Sequence, residues 1–277
     1  MIRETNEAYH ANAAISHSKL ETFRRRPALY HRKYILKTIQ PEAPSTAFRI
    51  GSAAHTLILE RDQFASRYAV KPDNIDRRTK DGKERWAEFE SANAGKAMID
   101  SEEVEQLNQM SDAVWINPLA EQLFAAGKPE LSWRTEGKMA LQCRTDWFSE
   151  TGCELSSGRP YIVDLKTVES LNTGEYGSFE RSVFNYGYHR QAGFYLPLVT
   201  ELLGRTVCDF FFVAVEKVEP FGVAVYRLCD EVVSLGQDET IKDLRSLKAC
   251  LESDKWPNIE PEVRNLGVPS WYKGGVS

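Results

Sequence analysis

Three residues stand out by type and spacing: Asp146 in CRTDWF, and Asp164 with Lys166 in YIVDLKT, residues 161–167. Ile162, Val163 and Leu165 favour an extended chain, and side chains on a strand alternate between its two faces. Asp164 and Lys166 therefore share a face with Ile162, while Tyr161, Val163, Leu165 and Thr167 share the other. Same-face neighbours lie about 6.5 to 7 Å apart. A carboxylate can then hold a divalent cation while the ammonium reaches a water or a phosphate oxygen beside it, an arrangement suited to metal-assisted hydrolysis. A D-x-K triplet also arises by chance, and on an edge strand it would be a solvated pair, so the surrounding elements decide its meaning.

Glu130–Thr135 and Lys138–Phe148, separated by Glu136-Gly137, read as a hairpin with Asp146 near the end of its second strand. The turn-rich SETGCELSSGRP leads from it into YIVDLKT, so Asp146 and Asp164 fall on consecutive strands, which are usually neighbours in space. Ser182–Leu203 reads as one helix with Gln191 and Tyr195 four apart on a face that Tyr188 and Phe184 continue. Aromatics at that spacing also fit a plain core stripe, and Pro197 is placed to bend the helix. Val207–Val215 and Gly222–Leu228 form a last strand pair, and Asp230–Ser253 a long amphipathic helix before an irregular tail from Trp256.

Upstream the pattern is helical. Ser18 three residues before Glu21 makes a capping box for a short helix with Leu20 and Phe23 inward, and Pro27 starts a second helix. Arg24, Arg25, Arg26, His31, Arg32 and Lys33 read as a solvated face or as phosphate contacts. Thr38–Ser45 is a linker. In FRIGSAAHTLILE, residues 48–60, the small residues of GSAA let a helix pack closely, and His55 reads either as a hydrogen-bonded core residue or as a metal ligand. Residues 71–85 are polar and aperiodic, a mobile exposed loop whose Arg77, Arg78, Lys80 and Lys83 either guide DNA or are simply solvated. Trp86–Phe89, Ser101–Trp115 and Leu119–Ala126 return to helical spacing, ended by Gly127.

With 277 residues, 42% of them hydrophobic, the chain can bury a sizeable core. No apolar run approaches the roughly 18 to 20 residues of a membrane span, and the N-terminus lacks the pattern of a signal peptide, so a cytoplasmic protein without membrane contact is expected. Five cysteines without a C-x-x-C pair fit reduced thiols. A net charge of −5 argues against a simple nucleic-acid coat but leaves room for an enzyme with a local basic channel.

Taken together, SKLETFRRRPALYHRKY, the GSAAH box with His55, Asp146, the Asp164–Lys166 pair and the Q-x-x-x-Y of Gln191 and Tyr195 resemble the PD-(D/E)-x-K nuclease superfamily. Within it the likeness is to RecB-like and RecE-like exonucleases, nearest to the exonuclease domain of RecE as carried by phages and prophages. The resemblance implies an α/β, restriction-endonuclease-like core with a central mixed β-sheet flanked by helices and a helical N-terminal region. It implies one domain over 1–277: a mainly helical part at 1–127, the catalytic sheet and Q-x-x-x-Y helix at 128–228, and a C-terminal helix and tail at 229–277. It further implies that His55, Asp146 and Asp164, with the carbonyl of Leu165, hold Mg²⁺, for which Mn²⁺ can substitute. Lys166 would position or activate water, and Gln191 and Tyr195 would steady DNA or the catalytic strand. Glu130 is a candidate accessory acid. Arg26, where iron–sulfur relatives carry a cysteine before Pro27, argues against an iron–sulfur cluster. The function implied is a processive 5′ to 3′ exonuclease on double-stranded DNA ends, working as a homo-oligomeric ring and handing 3′ single strands to an annealing protein of the RecT type. A structure-specific or restriction-type endonuclease and a non-catalytic DNA-end-binding recombination protein are the alternatives.

Overall fold

The computed structural model describes residues 1–39, 46–171, 178–259, 263 and 265–268, with Ala47 and Ser178 described by backbone alone. Helix α1 (Asn6–Ala11) is followed by α2 (His17–Arg25). Ser16, not Ser18, caps α2: its backbone is extended, at φ −99° and ψ 165°, and its hydroxyl accepts from the amide of Lys19. A cap residue needs that extended backbone to turn its side chain onto the free amides, whereas Ser18 already lies inside the helix. Leu20 and Phe23 are buried, as their spacing requires. Pro27 opens α3 (Pro27–Tyr30), which runs into a π-helical turn, His31–Ile35. From position 40 to 45 the expected linker lies outside the described residues.

Helix α4 (Thr46–Leu59) carries His55. Short α5 (Phe64–Arg67) leads into β1 (Tyr68–Val70), which pairs in parallel with β2 (Ala97–Ile99). Three-residue strands show too little alternation to be read from sequence. Between them the loop expected over 71–85 gives way to α6 (Lys80–Ala92), opened by Thr79, whose hydroxyl accepts from the amide of Gly82. Trp86 and Phe89 show helical spacing only in its second half, and the charged KDGKER before them has no apolar stripe, so the cap was the one local signal for its start. Then come α7 (Ser101–Ile116), behind a capping box of Asp100 and Glu103, and α8 (Pro118–Phe124).

The remaining elements are β3 (Lys128–Arg134), β4 (Gln142–Ser149), β5 (Tyr161–Val168), α9 (Ser178–Asn185), α10 (Tyr188–Leu203), β6 (Asp209–Glu216), β7 (Val223–Arg227) and α11 (Asp230–Ser253). Strand β4 starts at Gln142 rather than Lys138, because residues 135–141 form a wider connection than a tight turn. The helix expected as one piece from Ser182 to Leu203 is two, since Gly187 adopts φ 74° and breaks it. That left-handed conformation favours glycine, and a Cβ there would also press on the Arg190 guanidinium, 2.3 Å away. Pro197 sits inside α10 without ending it.

Five strands form one sheet in the order β3-β4-β5-β6-β7. Strands β5 and β6 are parallel and the other neighbours antiparallel, so the sheet is mixed, and helices cover both faces. One face packs Ile162, Phe210 and Phe212 against α2, α9, α10 and α11. The other packs Tyr161, Val163, Leu165, Phe211 and Val213 against α4, α7 and α8. Strand β5 thus runs through the middle of the molecule with its two side-chain sets divided as the period-2 pattern demands.

Candidate active site

The pairing register puts three carboxylates in one row across the sheet. Pro129↔Trp147 and Leu131↔Thr145 flank Glu130 and Asp146, and one step beyond Trp147↔Val163 Asp146 comes opposite Asp164. The regular ladder skips both of these carboxylate pairs. Like charges directly opposite on neighbouring strands repel, and the backbone gives way accordingly. Glu130 adopts φ 53°, a left-handed conformation that is uncommon for a non-glycine residue and rarer still inside a strand. Asp146 in turn fills the gap between β4 and β5, where its Oδ2 accepts from the amide of Leu165 at 2.9 Å. An extended residue points its amide and carbonyl to the same edge, so the Leu165 carbonyl faces this gap too.

On the α10 side the row continues into a tightly braced lysine. Lys166 Nζ lies 2.5 Å from Asp164 Oδ2 and 3.2 Å from Gln191 Oε1. The Gln191 amide nitrogen donates to Asp164 Oδ1, which fixes which way round the Gln191 amide points. Asp164 Oδ2 makes its ion pair without an aligned hydrogen bond. The Tyr188 ring lies under the ammonium, with Nζ 4.3 Å from its centroid.

On the other face α4 supplies His55. Gly51, one turn earlier, comes so near β5 that a Cβ would stand 3.5 Å from Thr167 Oγ1, and the small residues of GSAAH allow that approach. His55 Nδ1 then reaches 3.4 Å from Asp146 Oδ2. His55, Glu130 and Asp146 offer ligand atoms all within 4.8 Å of one another. Two carboxylates with an imidazole make a donor set that suits a hard or borderline divalent ion. Asp164 stands outside this trio, engaged by Lys166 and Gln191.

The electrostatics point the same way. Burial raises the carboxyl of Asp146, with Glu130 adding to the rise and His55 opposing it. Burial also raises Asp164, against the pull of Lys166, and Glu130, against the pull of Arg144. For Lys166 burial works downward, but the Asp164 and Asp146 carboxylates outweigh it and hold the amine above its ordinary range. The site is a buried excess of negative charge that a cation would relieve.

Not every residue singled out from sequence meets here. Tyr195 packs its ring 6.2 Å from Phe210 in the core beneath Gln191, and its hydroxyl is pushed well up by burial, with Asp164 and Asp146 contributing. Arg78 pairs with Asp76, Arg77 covers the Trp86 ring at 4.3 Å, and Lys80 lies 3.9 Å from Glu84. These three and exposed Lys83 have no contact with the carboxylate row among the described residues. Sequence reasoning passed over Arg144, whose Nε lies 2.9 Å from Glu130 Oε2 and whose guanidinium covers the Tyr9 ring at 4.8 Å. Its one signal was its position two residues before Asp146, on the same strand. It placed Tyr188 on the face of Gln191 and Tyr195 but gave it no role at the site, because the same spacing fits a core stripe.

A family model described as "PDDEXK-like domain of unknown function (DUF3799)" matches residues 16–262. No curated protein matches the chain. Among solved structures, a protein from Eubacterium rectale described as "Putative exonuclease" superposes with a TM-score of 0.64 at 15% identity, over 97% of this chain and 96% of that one. At that identity the likeness speaks for the fold.

Proposed function

This chain belongs to the PDDEXK-like domain family, and from that premise we propose that it is a divalent-cation-dependent DNA nuclease acting as an exonuclease on duplex ends. The observation that carries the reading is the Lys166 ammonium, braced by Asp164, Gln191 and Tyr188 beside the row of Glu130, Asp146 and Asp164. His55, Asp146 and Glu130 would hold the cation, with Asp164 and the Leu165 carbonyl on its β5 side. Mg²⁺ fits these mainly oxygen donors, with Mn²⁺ as a substitute. Such a cation supplies positive charge for the phosphoryl oxygens and lowers the pKa of water.

The chain's own contribution centres on Lys166. Held above its ordinary pKa, it is an ammonium at neutral pH, a donor with no lone pair. It orients the attacking water and offsets the negative charge that grows on the phosphate. Gln191 keeps that ammonium and the Asp164 carboxylate in register, one end of its amide on each.

The exonuclease description of the structural neighbour supports action at ends. A 5′ to 3′ polarity, processive digestion, a homo-oligomeric ring and an annealing partner of the RecT type belong to the same proposal and rest on the RecE-like resemblance. The test uses duplexes labelled at the 5′ or the 3′ end, with and without EDTA. Asp164→Ala and Lys166→Ala should each lose digestion by a factor on the order of 10² or more. Unchanged digestion by either variant would sink the reading, and cutting of a covalently closed circle would turn it into an endonuclease.

A further inference from the structure

We infer that the segment from Arg24 to Lys37 is the track that holds the phosphate backbone of duplex DNA leading away from the active site. The inference rests on the nuclease reading and adds where the substrate lies. The chain as a whole is acidic, with 35 Lys and Arg against 40 Asp and Glu, yet RRRPALYHRKYILK contains six Lys or Arg and no carboxylate. Arg24 is consumed in the fold, pairing with Glu239 and Asp243 of α11. Arg25, Arg26, Arg32, Lys33 and Lys37 are exposed, and none pairs with a carboxylate among the described residues. Elsewhere the exposed Arg78 and Lys80 are matched by neighbouring acids, and exposed cations without a carboxylate partner among the described residues, such as Arg61, Lys83 and Lys138, are scattered along the chain. Five unmatched cations on one stretch of an acidic surface call for an anionic partner.

Its place in the fold selects the partner. Helix α2 begins at His17, whose ring lies 6.4 Å from that of Phe194 on α10, and Glu21 one turn later accepts from Arg190, the residue before Gln191. Its nine residues run to Arg25 over about 12 Å, or three to four base pairs at about 3.4 Å each. The π-helical turn then folds back along α2. Tyr34 reaches Thr22 across 3.5 Å between hydroxyls, its ring lies 5.7 Å from Lys19 Nζ, and Lys37 returns near enough to Lys19 to help burial lower its pKa. Cations therefore flank α2 along its length, from near the site to its far end. The turn is firmly seated, because Trp256 stacks on His31 at 4.5 Å and 3°. Ile35 and Leu36 are exposed among these cations, so an anionic membrane is the competing partner; adjacency to the site favours DNA.

Binding of a fluorescent duplex, measured in EDTA by anisotropy over a range of salt, tests the inference on the full chain. The variants are Arg32→Ala/Lys33→Ala/Lys37→Ala, Arg25→Gln/Arg26→Gln, and Lys128→Ala/Arg205→Ala as a control at exposed cations with no assigned role, with melting curves checking the fold. The triple variant should weaken binding at least tenfold and reduce the slope of log K against log salt by roughly 2 to 3, near 0.9 per lost contact. The control should match wild type. Wild-type binding that both basic variants retain, at the same slope, would overturn the track while leaving the nuclease reading intact. A wild-type chain that neither binds nor cuts DNA would remove the nuclease reading itself. Binding to phosphatidylserine vesicles in place of duplex would assign the segment to a membrane and overturn the track as well.

Discussion

Lys166 is held by three kinds of contact: a carboxylate, an amide oxygen and an aromatic face. The third is separable by mutation. A cation over a half-buried ring is worth about 1 to 2 kcal/mol, so Tyr188→Leu should lower kcat on duplex DNA by roughly 5- to 30-fold with little change in KM. Tyr188→Phe keeps the ring and should stay near wild type. Equal loss in both variants would assign the effect to the hydroxyl and refute the ring's role. The contrast also shows what sequence could reveal at this scale. Asp164, Lys166 and Gln191 follow from the period of one strand and one helix. Tyr188 depends on how closely α10 approaches β5, and Glu130 on a left-handed backbone at φ 53°, for which a glutamate gives no local sign.

At the scale of elements, α2 is fastened to α10 by a buried charge network. Arg190 of α10 donates through Nε and Nη2 to the two oxygens of Glu21 at 2.5 and 2.9 Å, and through Nη1 to Glu239 at 3.1 Å. Next to it, His17 packs its ring against Phe194. Burial, helped by Lys166 and Arg190, holds its pKa down at about 4 against the pull of Glu21 and Asp164. The unfolded chain takes up a proton that the folded chain refuses. The neutral ring's contribution is therefore complete above about pH 6.5 and is lost as pH falls toward 4, up to about 3 kcal/mol. Urea unfolding of wild type and His17→Gln should converge as pH drops from 7 to about 4.5; a constant gap would show that His17 does not titrate in that window. Helices α2, α3, α7, α8 and α11 were readable, the last to its full span, because amphipathic period and caps are local, whereas α1, α5 and the charged first half of α6 showed no such pattern. The division between α9 and α10 was hidden, since apolar spacing continues across Gly187 while its left-handed φ of 74° leaves no pattern.

For the whole molecule, the carboxylate row couples catalysis to stability. Glu130, Asp146 and Asp164 all have raised pKa values, so each favours the folded chain while protonated and costs stability as pH rises through its folded value. A divalent cation would reverse that cost, and it binds the deprotonated forms. Melting of the EDTA-treated protein should therefore decline as pH rises above the ordinary carboxylate range of about 4 more steeply than that of Asp146→Asn, and the rise in Tm on adding Mn²⁺ should grow in the same direction. At about 100 times its Kd a bound ion adds about 2.7 kcal/mol, which is roughly 5 to 10 °C for a chain of this size. Asp146→Asn removes the carboxylate that sits between Glu130 and Asp164 and beside His55. It should flatten the pH slope and abolish most of the Mn²⁺ shift together, because both effects come from the same buried charge. A variant that kept the full shift would place the cation elsewhere, and with it the chemistry.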